Sequence, residues 1–127
     1  MRMWMINPKC LCSKHLRGEH YEIHKLIGNL LHGRSIQGYI SGHLVEPQNF
    51  YSRHDELALE MIQRGMEHKS PLVKVEFNIE CVVNKNKSIA DLMDRCPECK
   101  ERILKEMTNE EIRHVTSNDQ LQLQSTL

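Results

Sequence analysis

The sequence predicts a mainly α, compact helical domain with a long first helix, an irregular N-terminal lead-in and room for one short two-stranded β ribbon. Three observations carry that expectation. Apolar residues recur at helical spacing over 13–32 and again over 52–64, and each run stops at a glycine. The chain has 127 residues, enough for one domain with a modest core. Hydrophobic residues make up 39 % and aromatic residues 5 %, so aliphatic and Met side chains must fill that core.

Residues 1–12 read as an extended or irregular lead-in. Trp4, Met5 and Ile6 can pack on the core, and Asn7-Pro8 favours a turn. Packing there would hold Met1 in place. The first helix spans Ser13 to His32, with Ser13 as N-cap and Gly33 as stop. Leu16, Ile23, Ile27 and Leu30 form its apolar stripe, with Leu26 and Leu31 beside them. A second face carries His15, Glu19 and Glu22, spaced to line up over two turns.

Residues 32–50 hold many turn formers: Gly33, Gly38, Gly42 and Pro47. A second helix runs from about Ser52 to Arg64, capped by Ser52 and stopped by Gly65. Its apolar face is Leu57 and Met61, with Ala58 and Ile62 beside them. Val73 to Val83 alternates with the period of a half-buried strand, and Tyr39 to Val45 is its candidate partner. Ser88 caps a third helix through Leu92 and Met93. Cys96-Pro97 interrupts it, and a fourth helix runs from Pro97 to about Met107. A short segment follows from Glu110 to Val115, and 116–127 reads as a polar, flexible tail.

Composition bounds the function classes. No apolar run approaches the ~18 residues of a membrane span, and the start shows no signal-peptide core, which suits a cytoplasmic protein. Net charge is +0, but residues 1–74 carry ten Lys/Arg against seven Asp/Glu, a net +3 that leaves −3 for the remainder. Seven of the eight histidines also lie in that first part. A moderately basic first half can meet phosphates.

His15-Leu16-x-x-Glu19-x-Tyr21-Glu22-Ile23-x-Lys25 resembles the first-helix signature of the pyrimidine-dimer DNA glycosylases with abasic-site lyase activity, of the phage endonuclease V type. Glu60 to Gly65 resembles that family's Glu-x-x-x-Arg-Gly helix end, and Met1-Arg2 falls where the family has its N-terminal nucleophile followed by arginine. The opening Met-Arg-Met-Trp-Met-x-Asn-Pro-Lys and the His68-Lys69-Ser70-Pro71-Leu72 stretch are similar to a small-protein branch of the family. The resemblance implies a single domain over 1–115 and double-stranded DNA with a damaged base or abasic site as partner. It implies a monomer that needs no cofactor for catalysis.

It also implies roles. The α-amine of Met1 is the nucleophile and Glu22 the essential carboxylate. Arg2, His15, Tyr21, Lys25 and Arg64 fall at DNA-binding positions. Lys25 stands where the family clamps phosphate with arginine, and Tyr21 replaces another first-helix arginine. An α-amino group has an ordinary pKa of ~7.7–8.0 against ~10.4 for lysine, so a chain terminus offers far more free amine at neutral pH. The family's C-terminus is aromatic and basic, whereas this one is acidic in balance and its tail has no aromatic residue. The amine chemistry therefore carries over more directly than the pyrimidine-dimer specificity, and another damaged or modified base is open.

Five cysteines in a chain read as cytoplasmic point to metal or free thiols rather than disulfides. Cys96-x-x-Cys99 with Cys12, and with Cys10 as a further candidate, can form a structural zinc site. His15, His20 or His114 can replace Cys10. Reduced structural thiols are the competing reading. His20 and His24 read as hydrated or stacked residues of the helix face. Two other functions compete with the glycosylase-lyase: a non-enzymatic zinc-stabilised module binding nucleic acid or protein, and a metal-dependent nuclease.

Overall fold

A computed structural model describes residues 1–68 and 71–107, and it is helical with no strand among them. The helices are α1 (Ser13–Leu31), α2 (Gln37–Ser41), α3 (Phe50–Gln63), α4 (Lys85–Arg95) and α5 (Pro97–Glu106). Two 3-10 turns, Pro8–Cys10 and Pro47–Asn49, lead into α1 and α3. The expected Glu110–Val115 segment, the tail and His114 lie outside the described residues.

α1 and α3 form the central pair, and α4 and α5 form a second pair whose α5 packs on the Pro8–Cys10 turn. Leu16, Ile23, Leu26 and Ile27 from α1 meet Phe50, Leu57 and Met61 from α3, with Ile89, Leu92 and Ile103 closing the core. Leu31 and Ile62, placed beside the stripes by spacing, are exposed. Gly33 and Gly65 terminate α1 and α3 at φ 69° and 82°, where a side chain would be strained.

Helix starts differ in detail from the expected caps. Cys12, not Ser13, caps α1, its sulfur accepting from the His15 N–H. α3 begins two residues before Ser52, whose hydroxyl donates to the Asn49 carbonyl instead of capping. Asn84 caps α4, because its side chain accepts from the Lys87 N–H, and Ser88 is buried one turn in.

The alternating segment pairs with no strand among the described residues. Tyr39, its expected partner, belongs to the short α2. Side chains supply the hydrogen bonds that a neighbouring strand would. The Gln48 amide donates to the Cys81 carbonyl at 2.8 Å and accepts from its N–H at 3.1 Å. Glu46 accepts from the Val83 N–H, and the Tyr51 hydroxyl bridges the Val73 carbonyl and the Val75 N–H. Val75, Phe77, Ile79, Cys81 and Val83 still turn inward as the period requires, while Val73 is 56 % exposed.

The lead-in is pinned. Met3 is fully buried, its N–H donates to the Leu44 carbonyl at 2.9 Å, and its sulfur accepts from the Glu46 N–H. Two residues earlier, Met1 is 71 % exposed. The terminus is thus presented to solvent from a fixed base.

Candidate active site

The lead-in and the first turns of α1 enclose a cleft of about 340 Å³ lined by Met1, Arg2, Trp4, Lys14, His15 and Glu19. Trp4 is its organising ring. The Arg2 guanidinium lies 4.7 Å from the ring centroid, and His15 meets the indole edge-on at 5.7 Å. Arg2 is further fixed by α4: Nη2 donates to the Ser88 hydroxyl at 2.7 Å, and Asp91 stands 3.5 Å from Nη1. Burial lowers the Arg2 pKa, and the charges of Asp91 and Glu19 oppose that shift. Arg2 also borders a second, open cleft of about 700 Å³ with His43, Val82 and Lys87.

The helix face of His15, Glu19 and Glu22 divides into three environments. Glu19 is buried and takes a two-point ion pair from Arg53 of α3, at 2.6 and 3.1 Å. His15 turns toward the cysteines. Glu22 is 0 % exposed, and among the described residues neither of its carboxylate oxygens has a hydrogen bond of ordinary geometry. The Tyr39 hydroxyl faces it, and the carboxylate holds that phenol above its ordinary pKa, with burial adding to the shift. A buried carboxylate left with so few partners calls for an explanation. Such groups cluster where chemistry needs them.

The other expected DNA contacts fall in two groups. Tyr21 is 63 % exposed and Lys25 is exposed, both on the outer side of α1. Arg64 is turned inward. Its guanidinium pairs with Glu60 at 2.8 Å and donates to the Pro8 and Leu11 carbonyls and the Ser13 hydroxyl. Arg64 therefore ties the end of α3 to the lead-in and the start of α1.

Cys12, His15, Cys96 and Cys99 bring one donor atom each into a group whose members all lie within 4.8 Å of one another. Cys12 Sγ is 3.1 Å and Cys99 Sγ 3.4 Å from His15 Nδ1, and the Cys12 and Cys96 sulfurs are 3.9 Å apart. With Zn–S ~2.3 Å and Zn–N ~2.0–2.1 Å, a tetrahedral ion separates its sulfurs by roughly 3.8 Å and sulfur from nitrogen by roughly 3.5 Å. The four residues can therefore hold a metal ion. Cys10 is buried outside this group.

Two helix starts build the group. Cys12 caps α1 and His15 follows one turn later; Cys96 caps α5 and Cys99 follows likewise. Backbone N–H groups point at the sulfurs: Cys12 N–H donates to Cys99 Sγ, and Cys99 N–H to Cys96 Sγ. Burial and the facing thiols push Cys99 up to about 12, whereas for Cys96 burial is outweighed by the donated N–H groups and the neighbouring thiols together, which lower the pKa. Burial lowers that of His15. The Cys-x-x-His repeat of the Cys-x-x-Cys spacing was the available signal for His15 as fourth donor.

No curated protein sequence and no solved structure gives a significant match to the chain. Among the described residues, no helix is long and apolar enough to cross a membrane. The sequence model of the family described as pyrimidine dimer DNA glycosylase matches residues 1–74. The match covers the lead-in, α1, α2 and α3, hence Met1, Arg2, His15, Glu22 and Lys25, and leaves α4 and α5 beyond it. The chain belongs to the pyrimidine dimer DNA glycosylase family.

Proposed function

We propose that the protein is a DNA repair glycosylase with an associated β-elimination lyase activity, acting on duplex DNA that carries a pyrimidine dimer or another damaged base. The observation that carries this reading is Glu22, a fully buried carboxylate without an ordinary hydrogen bond, on the helix that carries the family's signature. A carboxylate held this way is ready for positive charge that the substrate brings.

The Met1 α-amine attacks C1′ of the deoxyribose. The electrons of the glycosidic bond leave with the base, which is protonated as it departs. Glu22 stabilises the cationic sugar and exchanges protons during ring opening to the Schiff base. Loss of a C2′ proton then expels the 3′ phosphate and nicks the strand. Arg2, Tyr21 and Lys25 meet the DNA; Trp4, stacked on Arg2, fixes one wall of the cleft. The damaged nucleotide or its partner must leave the stack to reach the amine.

Zinc at Cys12, His15, Cys96 and Cys99 acts structurally in this reading. It joins the start of α1 to α5 and thereby supports the lead-in. His15 then contributes a metal ligand and an edge contact to Trp4, in place of a phosphate contact.

The cysteine group also favours a second reading, a zinc-stabilised binding module without catalysis. Nicking of dimer-containing and abasic duplexes in the presence of a chelator separates the readings. Amine chemistry nicks without metal, a metal-dependent nuclease stops, and a binding module never cuts.

A further inference from the structure

Four histidines converge away from the cysteine group. His20 and His24 sit one turn apart on α1, His54 faces them from α3, and His68 follows the end of α3. Their donor nitrogens all lie within 4.8 Å of one another. Nε2 of His68 is 2.8 Å from that of His20 and 3.2 Å from that of His54, and His54 Nε2 is 3.1 Å from His24 Nε2. The expected stacking of His20 and His24 is present, but it involves two further rings between α1 and α3 in place of a hydrated helix face. His20 is 9 % exposed, and its ring lies 4.7 Å from each of the other three.

An imidazole nitrogen has one in-plane position, either an N–H or a lone pair, and so takes part in one linear hydrogen bond. Three contacts among four nitrogens therefore cannot all be hydrogen bonds, whatever the tautomers. Four convergent lone pairs satisfy the same geometry: with metal–nitrogen bonds of ~2.0–2.1 Å, tetrahedral ligands stand roughly 3.3 Å apart.

A supporting contact points the same way. His54 Nδ1 is 3.0 Å from an Asp55 carboxylate oxygen. An N–H donated there leaves the lone pair on Nε2, the arrangement in which carboxylates orient metal-bound histidines.

We propose that His20, His24, His54 and His68 bind one divalent transition-metal ion through four imidazole nitrogens. An all-imidazole set suits zinc, nickel or copper and not the oxygen-seeking magnesium or calcium. The ion fastens the chain beyond α3 to the α1–α3 pair. It is independent of the cysteine site and of the glycosylase chemistry.

The test uses the untagged full-length chain, purified without added metal, and elemental analysis. The wild type is expected to carry about two equivalents, in the convention of one ion per four-donor group. His68→Ala, and separately the His20→Ala/His24→Ala pair, drop this to about one; Cys96→Ser/Cys99→Ser also leaves about one. Cobalt(II) titrated into the stripped wild type should show two phases. One carries thiolate-to-cobalt charge transfer, and the other gives ligand-field bands alone. This readout stands even if a variant fails to fold. A wild type that binds one equivalent, unchanged in His68→Ala and with a single thiolate-bearing cobalt phase, overturns the proposal.

Discussion

Arg53 of α3 holds both oxygens of Glu19 of α1 at the centre of the helix pair, with almost no solvent reaching either side chain. Glu19, a residue of the first-helix motif, thus forms a buried ion pair that sets how α1 sits on α3. That placement in turn fixes the cleft, where Glu19 is part of the wall; Glu22, one turn further along α1, lies buried behind the residues that line it.

Breaking this pair on one side leaves a buried charge behind. Arg53→Ala is expected to cost roughly 3–5 kcal/mol. The paired replacement Arg53→Met/Glu19→Leu is expected to recover most of it. Urea denaturation of both variants checks the difference, and equal losses in the two would contradict it.

Lys25 is exposed on α1 where the resemblance predicts a phosphate contact. Lys25→Ala should weaken binding to damaged and undamaged duplex alike and reduce the salt slope of binding by about 1. Lys25→Arg should keep the slope and tighten binding. Arg64→Ala should act otherwise, lowering stability by freeing the lead-in while leaving the salt slope in place. Titrations at several salt concentrations separate the two residues.

Tyr39 gives a pH dependence with a definite sign. Its pKa is raised in the folded chain by the facing Glu22 carboxylate, against an ordinary value of ~10. Above about pH 10 the unfolded chain loses this proton first, so the folded state loses stability as pH rises toward the shifted value. Below that range Tyr39 contributes no pH slope. Tyr39→Phe should flatten the alkaline fall, measured by thermal melts across pH 8 to 11.

Much of the architecture was legible because it rests on spacing and punctuation. Leu16, Ile23 and Ile27 with Gly33, and Leu57 and Met61 with Gly65, define α1 and α3 without tertiary information. The ribbon was not legible for a physical reason. Alternation in 73–83 reports which side chains turn inward, and says nothing about whether a strand or the Gln48 amide supplies the hydrogen bonds. The polar half of the α1–α3 interface was equally hidden. Glu19, His20, Arg53 and His54 interrupt the apolar pattern, and only their mutual placement explains their burial. The cysteine site was largely legible. Cys12, Cys96 and Cys99 were expected together, and His15 was among the alternatives to Cys10; spacing alone did not choose between them, because only the fold shows that Cys10 lies outside the group.

Removal of metal should separate structure from chemistry. A strong chelator, or Cys96→Ser/Cys99→Ser, is expected to lower the melting temperature, each kcal/mol lost being worth roughly 3–6 °C in a chain of this size. Below the new transition the nicking of abasic DNA should persist. Loss of nicking in chelator while the fold is retained would assign the chemistry to a metal.

The central claim, amine chemistry at Met1 assisted by Glu22, is tested most directly by borohydride trapping. The full-length protein is incubated with duplex DNA carrying an abasic site, reduced, and resolved for a covalent protein–DNA band. The account predicts a band whose peptide map places the DNA on the Met1 α-amine, lost when that amine is blocked. Glu22→Gln should reduce turnover roughly 10²–10⁴-fold, the usual worth of a positioned acid–base group. No band from folded protein beginning at Met1, or a band mapped to a lysine and indifferent to Glu22→Gln, would contradict it.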